Sequence, residues 1–197
     1  MPKPTTATAV PATLITDATL SKAQEIAARS YGPVWTGPSG EESSGEAVAR
    51  HLEATIALLD KDGWSRVHTC FRDRNQDKDR AGDVNPDDES MTVKQMLRAL
   101  LRFVHDDIGL DLDPRRTLDT ALRHVGEDGT YGDSDTAHVA TCVLDRLVQA
   151  HTGSDYARAT AWSERQHRTH ADITALLTAG ARFARTYGPA SASDRAA

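Results

Sequence analysis

The segment "AWSERQHRT", residues 161–169, carries the densest set of chemically capable side chains. Trp162 stands in a polar run and is followed by Glu164, Arg165, Arg168 and Thr169. An aromatic ring beside two guanidinium groups can hold a planar or anionic ligand, by stacking and by paired charge-assisted hydrogen bonds. Trp162, Arg165 and Arg168 are therefore the candidate ligand-binding residues. The same segment also has a purely structural reading. Trp162 would cover the open end of a helical core, and Thr169 would N-cap the next helix, with Asp172 complementing its first turn.

Other constellations are weaker. His138 and Cys142 are four residues apart on one helical stretch and share a face; with His68 and Cys70 they have the composition of a Cys2His2 zinc site. Structural zinc ligands come in tight pairs, and neither pair has the CxxC or HxxxH form. Cys142 also falls within an apolar stripe, where cysteine packs as a small hydrophobe. A catalytic cysteine needs a stabilised thiolate at a helix N-terminus or strained turn. Cys142 is mid-helix, and no nucleophile motif surrounds Cys70.

The run "DRNQDKDRAGDVNPDDE" invites a calcium-loop frame from Asp73, Asn75 and Asp77. That frame puts Lys78 where a glycine is required and Val84 at the twelfth position; the frame from Asp77 and Asp79 fails at Ala81. His167 and His170, three apart, read as a surface pair and at most a mild pH sensor. No GxGxxG, P-loop, GxSxG, HExxH or kinase signature is present. The sequence thus assigns no catalytic residue, no metal ligand and no cofactor.

The elements that must position Trp162 and its neighbours are helices. Hydrophobic residues make up 39% of the 197 residues and aromatics only 5%, so the core must be built from Leu, Ala, Val and Ile. Ala and Leu lead the helix propensity scale. Residues 1–16 have no helical period and read as a disordered tail. A short helix follows from Asp17, with Leu20, Ala23, Ile26 and Ala27 inward.

A stronger helix starts near Ser44, with Val48, Leu52, Ile56 and Leu59 on one face, Thr55 and Leu58 bordering it, and Gly63 as a left-handed residue past its end. "WSRVHTCF" reads as a short extended piece and 72–89 as a long charged surface loop. Ser90 or Thr92 caps a helix with the stripe Met96, Leu97, Leu100, Leu101 and Val104. Pro114 suits the first turn of another helix with Leu118, Ala121, Leu122 and Val125 inward. A fourth strong helix begins at Asp133 or Ser134 and buries Val139, Val143, Leu144, Leu147 and Val148. The last buries Ile173, Leu176, Leu177, Ala181 and Ala184, and residues 188–197 read as a disordered tail.

The fold expected is an all-α compact bundle of five or six helices over residues 17–187. Two of its helices end in Asp-Gly, at "DKDGW" and "GEDGT". This leaves open two related helix-turn-helix halves, or the ordinary use of glycine as a helix terminator.

Formal charge is −6, with 29 acidic against 23 basic side chains. An acidic chain repels a phosphate backbone, so nucleic-acid binding requires Arg158, Arg165, Arg168, Arg182 and Arg185 to form one face. Two cysteines are too few for a disulfide scaffold, and the Thr- and Pro-broken N-terminus resembles neither signal peptide nor membrane anchor. A soluble cytoplasmic chain is expected.

Three parts in order, "LDTALRHVGEDG", "HVATCVLDRLVQAHTG" and "AWSERQHRTHADITALLTAGARFA", resemble the DUF6197 family, a domain of unknown function found mainly in actinobacteria. The third is similar to a W-N-D-x-x-x-R-T step before a helix, with Ser163 and Glu164 in place of Asn and Asp. The resemblance covers about residues 115–186. It implies a small helical bacterial domain and carries no activity, cofactor or site residue with it.

The function expected is a non-enzymatic binding module of actinobacterial or mobile-element origin, from a phage or plasmid, acting by contact with a protein partner or by self-association. Leu97 and Leu101 would form its partner surface. The alternative is a small hydrolase or transferase with an unfamiliar site near Trp162, which needs a pocket and a titratable partner such as Glu164 or His167.

Overall fold

The computed structural model describes residues 15–67 and 114–190. The charged loop at 72–89, the helix carrying Leu97 and Leu101, the pair His68 and Cys70, and most of both expected tails lie outside the described residues. One compact unit is built from the chain up to Arg66 and from Arg115 onward.

Its six described helices are α1 (Asp17–Ala28), α2 (Gly45–Asp62), α3 (Leu118–Asp128), α4 (Ser134–Thr152), α5 (Ala159–Ser163) and α6 (His170–Tyr187). No β-strand occurs among the described residues. Two isolated bridges pair Thr36 with Glu42 and Trp64 with Arg116. No described helix is long and apolar enough to cross a membrane.

Most helix starts follow from local side-chain chemistry. Thr16, Ser44, Thr117, Asp133 and Thr169 each accept a hydrogen bond from an N–H of the first turn of the following helix. Each satisfies one of the donors a helix start leaves orphaned. Thr117 with Thr120 and Thr169 with Asp172 form reciprocal capping boxes. Two boundaries differ from the expectation. Ile15 is buried and Thr16 caps α1, so both belong to the helical unit rather than to a tail. Pro114 precedes the helix instead of opening it, because Arg116 pairs with Trp64 and Thr117 takes the cap.

The axis of the bundle is α4, which packs against all five other helices. Val139, Ala140, Val143, Leu144 and Leu147 have no exposed surface. The pair α2 and α6 runs antiparallel across it. Gly45 at the start of α2 lies against Ala184 and Gly188 at the end of α6, and Asp60 near the end of α2 meets His170 at the start of α6. Gly180 lets α6 settle onto Leu144 and Leu52; a Cβ there would come within 2.8 Å of the Leu144 side chain.

The inward face of α2 differs from the apolar pattern. Val48, Leu52 and Leu59 are fully buried as expected, but Ile56 is only part-buried, and Thr55 and His51 are fully buried. The Thr55 hydroxyl is satisfied by donating to the His51 carbonyl at 2.9 Å.

The two Asp-Gly endings are not alike. Gly129 is left-handed (φ 74, ψ −6), whereas Gly63 combines φ 87 with ψ 155. Both need glycine's access to positive φ. The Gly63 geometry sends the chain outward into the extended pairing of Trp64 with Arg116, fastened by Ser65 N–H to Arg116 O (2.9 Å) and Arg116 N–H to Gly63 O (3.0 Å).

Candidate functional site

Trp162 is placed by polar residues buried on α4. A helix of five residues does not hold itself together in water, and α5 has no side-chain N-cap. Asp145 takes over that role from the neighbouring helix. Its carboxylate accepts the Ala159 N–H at 2.7 Å and a bond from Arg158 Nη1 at 2.8 Å. One turn later on α4, Gln149 Nε2 donates to Ala157 O at 3.2 Å while its Oε1 accepts from Arg146 Nη1 at 2.8 Å. Together they fasten the connection from α4 to α5 and fix where Trp162 enters the core.

The indole of Trp162 is 2% exposed. His151, from the last turn of α4, meets it edge-on with centroids 6.4 Å apart. Arg168 lays its guanidinium over the ring, 3.8 Å from the centroid, a desolvated cation–π contact. The 164–169 turn that carries Arg168 is closed by Arg168 N–H to Arg165 O at 2.9 Å. Thr169 then caps α6 together with Asp172, as the spacing predicts.

The expected ligand residues therefore occupy different layers. Trp162 is in the core, Arg168 covers it in a part-buried position, and Arg165 is exposed, as are Glu164 and His167. The Trp162 ring face is thus occupied by Arg168 rather than open for stacking. Burial pushes the Arg168 guanidinium below its usual range, the like charge of Arg165 adds to this, and Asp172 opposes it.

Two donors on this stack have no acceptor among the described residues: the buried Nε1 of Trp162 and the buried Nε of Arg168. The same holds for Trp64 Nε1. His170 Nε2 lies 3.4 Å from Asp60 Oδ1, without hydrogen-bond alignment. An orphaned buried donor costs of order 1–3 kcal/mol, so these positions carry an unmet demand for acceptors.

A residue that the sequence did not single out joins the turn. Arg66 donates from Nη1 to the Gln166 carbonyl at 2.6 Å, bridging a sequence separation of 100 residues. No local pattern marks it; only the return of the chain after α5 brings it there. Asp145 and Gln149 were missed for a similar reason, since polar residues on an apolar helix read as its solvent face.

The remaining arginines do not form a free cationic face. Arg158 pairs with Asp145, Arg182 with Asp17 at 2.6 Å, and Arg185 with both Glu46 and Glu53. Cys142 Sγ lies 3.6 Å from His138 Nε2, but burial and then the nearby Asp145 push the thiol upward, away from thiolate. Among the described residues no three His, Cys, Asp or Glu side chains gather in a metal-binding set.

No curated protein and no solved structure matches the chain. A family model does match, over residues 43–183, from just before α2 to Phe183 near the end of α6, and so takes in α2 as well as the stretch from 115, but not α1. The chain belongs to DUF6197, a family of unknown function.

Proposed function

We propose that the chain is a cytosolic, non-enzymatic binding module that takes a carboxylate group of a protein partner at the junction of α5 and α6, through Trp162, Arg165 and Arg168. The observation that carries this reading is the stacked Trp162–Arg168 pair with its two acceptor-less N–H groups. Both orphans are donors, so the ligand that completes them is an acceptor, and the guanidinium groups of Arg66, Arg165 and Arg168 around one turn favour a negative one. An anion here also relieves the repulsion between Arg165 and Arg168.

Arg168 acts as the cover: it lies over the indole face, and its part-buried side chain swings aside as the ligand enters. The absence of any enzyme signature in the sequence and the elevated thiol of Cys142 support a binding role over a catalytic one. Leu97 and Leu101, outside the described residues, are proposed separately as an apolar partner surface.

The test is titration of uniformly 15N-labelled protein with a tetraglutamate peptide, read at the indole N–H resonances. The expected result is a saturable downfield shift of the Trp162 indole proton. Trp162→Phe keeps the stacking ring and removes the donor; about tenfold weaker binding is expected, near the lower end of a hydrogen bond to a charged group. An unshifted Trp162 resonance at millimolar peptide overturns the proposal.

A further inference from the structure

His51 is a second site where the number of protons and the number of acceptors do not match. Its ring has no exposed surface. Nδ1 lies 3.2 Å from the carbonyl oxygen of Tyr131, and Nε2 lies 3.1 Å from the carbonyl oxygen of Leu122. A neutral imidazole has one N–H. Whichever tautomer forms, one nitrogen donates and the other points a bare lone pair at a carbonyl oxygen. Only the imidazolium satisfies both contacts, and it would be a cation sealed inside the bundle.

The two carbonyls belong to α3 and to the Gly129–Asp133 connection between α3 and α4, so the ring ties α2 to both. We infer that His51 is an acid-sensitive latch, closed as the neutral ring near neutral pH and released on acidification, when a proton on the ring is accommodated better by opening the Gly129–Asp133 connection to water.

The forces on the ring oppose one another. Burial is the largest and holds His51 below the ordinary histidine range; the two carbonyl contacts and the negative charge of Asp133 pull the other way without cancelling it. Asp133 stays ionised through the relevant range, because the N–H and hydroxyl of Thr136 hold its carboxyl below the usual carboxylate range. Among the described residues, α3, α4 and α6, which also pack on α2, add no further charged side chain acting on the ring. At the far side of the connection, Tyr131 is about half exposed, so the segment that must move already borders solvent.

The sign follows from linkage. A histidine whose folded pKa is lowered takes up its proton more readily once the latch is open, so opening is promoted as pH falls below about 6.5. One proton per opening sets the ceiling: the opening constant rises at most about tenfold between pH 7.5 and 5.5.

Native-state hydrogen exchange of the α3 and α4 amides, corrected for intrinsic exchange rates at each pH, reads that constant. The expected result is a several-fold rise in the wild type and a flat response in His51→Gln, which keeps a donor and an acceptor but does not titrate. A histidine 15N titration of the wild type tests the same idea without relying on the variant. It should give a single neutral tautomer for His51 that resists protonation below pH 6. An ordinary titration near 6.5 with unchanged exchange, or an equal pH response in His51→Gln, overturns the latch.

Discussion

Asp145→Ala separates the buried part of a salt bridge from its visible part. The pair with Arg158 is the obvious contact, at 2.8 Å, but the Arg158 side chain is 65% exposed while that of Asp145 is 9% exposed. An ion pair with one solvated member contributes little, of order 0.5 kcal/mol. The bond that matters is the other one, from the Ala159 N–H at 2.7 Å, because that amide starts a helix with no side-chain cap of its own.

A charge-assisted bond to a buried backbone donor is worth about 1.5–3 kcal/mol, and removing its acceptor leaves the amide without a partner. Asp145→Ala should therefore cost about 3 kcal/mol, or about 6–12 °C in Tm for a chain of this size. Arg158→Ala should cost about 0.5 kcal/mol. Asp145→Asn should fall between them, since its amide oxygen can still accept from Ala159 without the charge.

Urea unfolding of the three variants, followed by circular dichroism, measures these costs. Because Asp145 anchors α5, Asp145→Ala should also broaden or shift the Trp162 indole resonance, and Arg158→Ala should not. Equal costs for Asp145→Ala and Arg158→Ala would refute the reasoning, by showing that the surface pair and not the hidden cap holds α5.

Two other perturbations test the packing and the surface charge. Gly45→Ala and Gly180→Ala should differ although both add one methyl group. The first drives a Cβ into the Ala184 carbonyl oxygen, a backbone atom that cannot turn away, and should cost about 3 kcal/mol or more in chemical denaturation. The second meets the ends of Leu144 and Leu52 at 2.8 and 3.0 Å, which can give, and helix propensity returns about 1 kcal/mol, leaving a net cost of about 0–2 kcal/mol.

Arg185→Ala removes the link from α6 to Glu46 and Glu53, all of them over 40% exposed. The expected loss is about 0.5–1 kcal/mol at low salt, shrinking in 1 M NaCl. Arg185 holds both carboxyls below their usual range. Their contribution is therefore present above about pH 4.5 and lost as pH falls through the lowered values, so wild type and Arg185→Ala should converge in stability at low pH.

Much of the bundle is legible in the sequence. Spacing alone locates the buried stripe on three of the described helices but not on α2, where Ile56 is only part-buried and His51 and Thr55 are sealed in. All the inward residues read for the helices at 118–128, 134–152 and 170–187 are buried. The Thr169 cap is legible too, because the bond it accepts from the first turn of its helix depends only on residues within three positions. Asp17, expected as the first cap, is displaced by Thr16, and the cap at Thr117 was not expected. Local chemistry fixes local geometry.

Tertiary structure decided what depends on residues far apart in the chain. His51 on α2 lies 71 and 80 positions from its two carbonyl acceptors, and a histidine in an apolar stripe gives no sign that it will be sealed in. Asp145 and Gln149 sit on the most buried helix because the chain after it folds back and offers an N–H to Asp145 and a carbonyl oxygen to Gln149. The same holds for the candidate site. The sequence placed Trp162, Arg165 and Arg168 on one short segment, but only the packing of α5 against α4 decided that the indole goes inward and that Arg168 closes over it. Periodicity records which side chains avoid water; which polar groups are left to find one another in the interior is settled by where the helices cross.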